Sequence, residues 1–288
     1  MSRIRISFIA LLVSFSAFSQ DELLELLEGD SPANEGTVSA TFKSTRIVNG
    51  HSVEVRSKGV LEFIISHRFG TINSGYKQFW GLDNSSIRLA LEYGLTDNLN
   101  LGLGRSSFDK VIDTFLKYRF IRQSNSFPLT ITGFGSLARK TVEQVGLEGK
   151  DRNYYTGQIL LARKFSSNFS LQLMPIVIQR NLVLTQQDAN LLFALGLGGR
   201  LKLTNRLAVN AEYYPQLSEF SDTFQNSFAI GVDIETGGHV FQLHLTNAVQ
   251  MNEQGFIGGT TDDFFDGDIH YGFNISRVFD LKPKRSGN

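Results

Sequence analysis

Apolar and polar residues alternate one for one along most of this chain. Across residues 191–204, Leu191, Phe193, Leu195, Leu197, Leu201 and Leu203 fall on one parity, and Ala194, Gly196, Gly198, Arg200, Lys202 and Thr204 on the other. Across 86–94, Ile87, Leu89, Leu91 and Tyr93 oppose Arg88, Ala90, Glu92 and Gly94. A helix would scatter each set around its axis, since two residues turn it about 200°. A strand gathers each set on one face. The same pattern recurs after Gly59 in twelve candidate strands: 60–69, 86–94, 99–105, 111–120, 129–139, 154–165, 169–179, 191–204, 207–214, 227–235, 239–247 and 268–279. Most are close to the length a tilted membrane strand needs, roughly 9–11 residues.

The connections alternate too. Tight polar turns fall at 96–98, 166–168, 205–206 and 236–238, with a short one at 121–127. The longest loops, 70–85 and 248–267, both follow odd-numbered strands. Short turns on one rim and long loops on the other predict an all-β fold, a single antiparallel transmembrane barrel with both termini on the short-turn, periplasmic side. A soluble β-sandwich or lipocalin-like barrel would hide the apolar parity instead. The polar parity speaks against that, because Ala90, Gly94, Gly102, Gly104, Ala194, Gly196 and Gly198 suit a crowded lumen better than a solvated strand surface. Phe69, Tyr93, Phe120, Phe165, Phe169, Tyr213 and Phe279 fall near strand ends, as interfacial girdles require. No segment after the first nineteen residues is apolar enough for a spanning helix.

The amino-terminal part follows different rules. Arg3 and Arg5, an apolar stretch beginning at Phe8, and small Ala17 and Ser19 predict a signal peptide over 1–19, cut before Gln20. Residues 20–58 then form a periplasmic segment or a plug, 59–279 the barrel and 280–288 a tail. Leu23, Leu24 and Leu27 share a helical face, and Asn49-Gly50 signals a tight turn.

Charge narrows the partners. The chain holds 28 basic and 28 acidic residues, and loss of Arg3 and Arg5 leaves 26 against 28, a net of −2. No basic excess invites nucleic acid. Cysteine is absent, so neither disulfides nor a lipidated cysteine enter. The expected partners are outer-membrane lipid, the barrel-assembly machinery during biogenesis and a periplasmic protein.

If the apolar parity faces lipid, the pore-lining candidates are Glu62, Arg68, Arg88, Glu92, Asp113, Lys117, Arg119, Lys164, Arg200, Lys202, Glu212, Asp233, Glu235, His244 and His270. They form either a polar channel or a structural network of ion pairs, helped by Phe115, Phe134 and Tyr154. The histidines lack metal-ligand spacing, so no metal or other cofactor is expected. Ser66 and His67 point to opposite faces, and no nucleophile elbow exists, so no catalytic residue is assigned. The acidic run 261–268 does not match a calcium loop and reads as a solvated loop.

Four stretches carry a resemblance: Thr41-Phe42-Lys43-Ser44-Thr45-Arg46-Ile47-Val48-Asn49-Gly50-His51-Ser52, Ile65-Ser66-His67-Arg68-Phe69-Gly70, Leu91-Glu92-Tyr93-Gly94 and Asn274-Ile275-Ser276-Arg277-Val278-Phe279. Together they resemble an outer-membrane β-barrel family of unknown function found in Bacteroidota-type bacteria. The resemblance implies an outer-membrane location and supplies no activity. The expected role is a passive pore or small-solute channel. A non-conducting scaffold for a periplasmic or surface partner stands second, and a lipid-active enzyme third.

Overall fold

The computed structural model describes residues 36–281, apart from 39, 144–145, 184–187, 219–222 and 237–238. Twelve strands among the described residues close into one antiparallel barrel. They are β1 (Val60–Thr71), β2 (Ser85–Gly94), β3 (Leu99–Ser106), β4 (Val111–Ile121), β5 (Thr130–Lys140) and β6 (Asn153–Lys164), then β7 (Phe169–Arg180), β8 (Leu191–Lys202), β9 (Leu207–Tyr214), β10 (Ser227–Thr236), β11 (His239–Thr246) and β12 (His270–Asp280). Each strand pairs with its neighbours in sequence. β1 closes the ring on β12, with Leu61 opposite Phe279 and Ile65 opposite Ile275. Closure leaves no edge strand to template another chain.

The alternation predicts these strands to within about two residues. Two ends differ for local reasons. β8 stops at Lys202 because the amides of Leu203 and Thr204 both bond the Leu207 carbonyl, which closes the turn. β12 starts at His270 because the Asp268 amide turns back to the Asp263 carbonyl, and the Asn73 side chain holds the Asp268 carboxylate.

The two faces invert the order of a soluble protein. Leu197 is 46% exposed while Lys117 is 0%. Charged groups buried inside and leucines bare outside suit a barrel whose solvent is lipid. The aromatic groups near the rims cluster as girdles do. Phe165 and Phe169 lie 5.9 Å apart by ring centroid, and Tyr118 and Phe120 5.0 Å. Phe79 and Trp80 sit on the loop after β1, packed on each other at 5.9 Å.

Candidate functional site in the barrel lumen

The chain before β1 enters the barrel. At the short-turn rim, Thr37 bridges to Ser124 and the Val38 amide bonds the Gln123 carbonyl. Residues 40–58, the strap, then cross the lumen and return to the same rim. There the Lys58 amide bonds Asp97 at 3.0 Å and the Gly59 amide bonds the Gly94 carbonyl at 2.8 Å. Asn49-Gly50 makes the reversal: the Ile47 amide bonds the Gly50 carbonyl, and Arg46 bridges to His51. Glycines on the wall make room. A Cβ on Gly94 would stand 2.1 Å from the Ser57 carbonyl oxygen, and one on Gly198 2.4 Å from the Ile47 side chain.

Irregular backbone at membrane depth survives only where its polar groups find partners. Here the inward side chains of the strands provide them. The Glu212 carboxylate accepts three successive amides, from Val48 at 3.2 Å, Asn49 at 2.7 Å and Gly50 at 3.2 Å. Gln172 accepts the Val53 amide and donates to the His51 carbonyl, both at 2.8 Å. Gln242 donates to the Ile47 carbonyl at 2.7 Å, Asn274 to Val48 at 3.0 Å and Thr132 to Val53 at 3.0 Å. Arg68 reaches the Asn49 side chain at 2.5 Å.

Ion pairs knit the same space. Glu62 takes Arg56 of the strap through two bonds of 2.6 and 2.8 Å and the Thr45 hydroxyl at 2.8 Å. Glu235 meets Lys43 of the strap at 3.0 Å and Arg200 of the wall at 2.9 Å. Arg88 pairs with Asp113 at 2.5 Å and Lys117 with Glu92 at 3.1 Å.

A second element fills the lumen from the long-loop side. In the loop between β11 and β12, α1 (Glu253–Gly258) is buried along its whole length. Asn252 caps it, accepting the Gly255 amide at 2.9 Å. Phe256 packs on Tyr214 with ring centroids 5.0 Å apart. Glu253 meets the strap, 2.9 Å from Arg46 Nη1 and 3.4 Å from His51 Nε2. The His51 ring lies 4.6 Å from Phe115 and 4.3 Å from Phe134. Burial above all, and then the charges of Arg46, Lys117 and Arg88, push its pKa well below the usual histidine value. Docking of the strap is therefore expected to weaken as the pH falls through the ordinary histidine range, because the released imidazole takes up a proton that the buried one resists.

Each of the fifteen candidates lies on the inward parity of its strand. Glu62, Arg68, Arg88, Glu92, Asp113, Lys117, Glu212 and Glu235 gather in the contacts above. Asp233 accepts from Gln242 at 2.6 Å. Arg119 sits at the short-turn rim on Asp97 and Asn98, and Lys164 and Lys202 are half-buried towards the same rim. His270 bonds Asp262 and the Phe69 carbonyl, each at 2.7 Å, and His244 faces the lumen opposite Gly272. The charge pattern of the strands does not reveal Gln172, Gln242, Asn274 or Glu253. Neutral amides on the inward parity carry no signal until the strap is there to need them, and Glu253 lies in a loop, outside the alternation of the strands.

Over residues 42–279 the chain matches the family described as membrane bound beta barrel domain (DUF5777), and it belongs to that family. It is a membrane-bound β-barrel. No curated protein matches it. Among solved structures it resembles the NanC porin at 10% identity, covering 77% of this chain and 100% of that one, with a TM-score of 0.48. It also resembles the KdgM porin at 9% identity, covering 76% and 99%, with a TM-score of 0.47. The outer membrane protein Omp33 of Acinetobacter baumannii is similar at 9% identity, covering 78% and 100%, with a TM-score of 0.42.

Proposed function

We propose that this member of the membrane bound beta barrel domain family is a small-solute channel held shut by its own strap, with α1 closing it in series from the other side. The observation that carries this is the way the strap docks. It adds no strand to the barrel. Its polar contacts with the wall are side-chain hydrogen bonds and ion pairs, each of which water replaces at a net cost of only about 0.5–1.5 kcal/mol when the segment leaves. The wall behind it is polar, as an aqueous lumen must be. No catalytic step is assigned to these groups.

A permanently closed barrel that scaffolds a partner is the alternative. It is favoured by the apolar cluster that Phe42, Ile47, Val48 and Val53 of the strap form with Phe115, Phe134, Met174 and Leu192 of the wall.

Glu212→Leu separates the two. It removes the acceptor of three buried amides, each costing about 1–3 kcal/mol when left unpaired. In planar bilayers the variant is expected to open more often than the parent. If it inserts as a folded barrel and stays as silent as the parent, the strap is not a gate.

A further inference from the structure

A cavity of about 420 Å³ opens at the long-loop rim, on the far side of α1 from the strap. That volume is typical of a small-molecule site. Its floor is α1 and the turn after it, through Gln254, Gly258 and Gly259. Its walls include Lys140, Arg152, Tyr154 and Arg180.

The charges in this cavity are unevenly matched. Its two carboxylates already have partners, Asp109 with Lys140 at 2.7 Å and Asp262 with the His270 ring at 2.7 Å. The guanidiniums are oriented by carbonyls. Arg180 bonds Ala189 at 2.6 and 3.2 Å and Gly258 at 3.1 Å, and Arg152 bonds Val142 at 2.9 Å. A carbonyl steers a guanidinium without neutralising it; Arg180 also feels the Asp188 carboxylate, so Arg152 carries the surplus charge of the cavity. Three further polar atoms here are buried without a hydrogen-bond partner among the described residues: Arg152 Nε, Gln250 Oε1 and Gln254 Nε2. Buried polar atoms are normally paired. The Tyr154 ring, with Lys140 Nζ 5.7 Å from its centroid, offers an apolar face beside them.

We propose that this cavity binds a small hydroxylated carboxylate. The carboxylate meets Arg152, the hydroxyls meet the amides of Gln250 and Gln254, and the carbon skeleton lies against Tyr154. The same short helix that floors the cavity holds the strap. Gln254 faces the ligand, and its neighbour Glu253 grips Arg46 and approaches His51. A ligand that shifts α1 therefore shifts strap docking, and by reciprocity release of the strap shifts ligand affinity. This inference goes beyond the channel proposal, because binding is read without conductance.

Isothermal titration of the detergent-solubilised full-length protein with gluconate, and with glucose as its uncharged counterpart, tests it. Gluconate is expected to bind, and glucose at least about tenfold more weakly, as loss of one charge-assisted bond implies. Arg152→Gln is expected to lower gluconate affinity about tenfold, and Arg152→Lys to keep most of it. Heat-modifiable migration on SDS gels shows that each variant is folded. If Arg152→Gln fails to fold, Gln254→Ala takes its place, with a smaller expected loss. Hydrogen exchange across residues 41–53 should change on adding gluconate to the parent and not to Arg152→Gln. Absence of gluconate binding, equal affinity for glucose, or unchanged affinity in the folded variants would overturn the site. Binding without any change in exchange would overturn the coupling to the strap.

Discussion

Gly50→Val is expected to expel the strap from the lumen and leave the barrel standing. A Cβ on Gly50 would lie 1.9 Å from the Tyr214 hydroxyl and 3.0 Å from the ring carbon that bears it. That ring has nowhere to go. It is fully buried, packs on Phe256 at 5.0 Å, and bonds Glu212 through its hydroxyl at 3.3 Å. Overpacking a rigid site costs about 1–3 kcal/mol, and here the two methyl groups of valine add to the clash. The same displacement pulls the turn off Glu212 and Gln242, so the loss extends beyond one contact. Amide exchange across residues 41–53 should rise by two orders of magnitude or so, following roughly 1.4 kcal/mol per factor of ten. The strands should keep their protection. Gly135→Ala is the control, since the nearest atom to its added Cβ is 4.0 Å away. Unchanged protection in Gly50→Val would mean that the reversal at Asn49-Gly50 does not hold the strap.

The second large effect concerns the outer face. Leu195 sits near the middle of β8, opposite Pro175 of β7, with its side chain on the lipid-facing parity. Leu195→Arg places a guanidinium near the bilayer midplane and should destabilise the barrel by about 2–4 kcal/mol, or block its assembly. Lys202→Gln lies on the inward parity of the same strand near the rim, and should assemble and unfold like the parent. Urea unfolding in liposomes measures both. Sensitivity at Lys202 with silence at Leu195 would turn the barrel inside out.

The sequence made the barrel legible because the wall has a period of two, which needs no tertiary information to be read. The turn at Asn49-Gly50 was equally visible, since its residue types carry the backbone conformation with them. The strap's place in the lumen was not. Residues 41–53 have no regular period, and their contacts join positions far apart in the chain, such as Arg46 with Glu253 and Asn49 with Glu212. α1 was hidden for a related reason. Six residues make too short a helix to show periodicity, and its burial depends on Tyr214 and Leu192 across the lumen. The inward charges could be named from parity alone. Which of them pair with the wall and which with the strap could not, because register between β1 and β12 or between β8 and β9 sets those distances.

Single-channel conductance in planar bilayers, for the intact protein and for a variant lacking residues 21–58, decides whether the strap is a gate. Deletion removes Arg46 and His51 together, so α1 loses its inner anchor in the same step. The intact protein should show small, infrequent openings. The shortened one should show larger and sustained conductance. Its ion selectivity should be weak, because Arg68, Arg88, Lys117, Arg119, Lys164, Arg200 and Lys202 stand against Glu62, Glu92, Asp113, Glu212, Asp233 and Glu235, seven positive to six negative. If both proteins insert as folded, heat-modifiable barrels and neither conducts, the lumen is a packed core and the barrel is a scaffold.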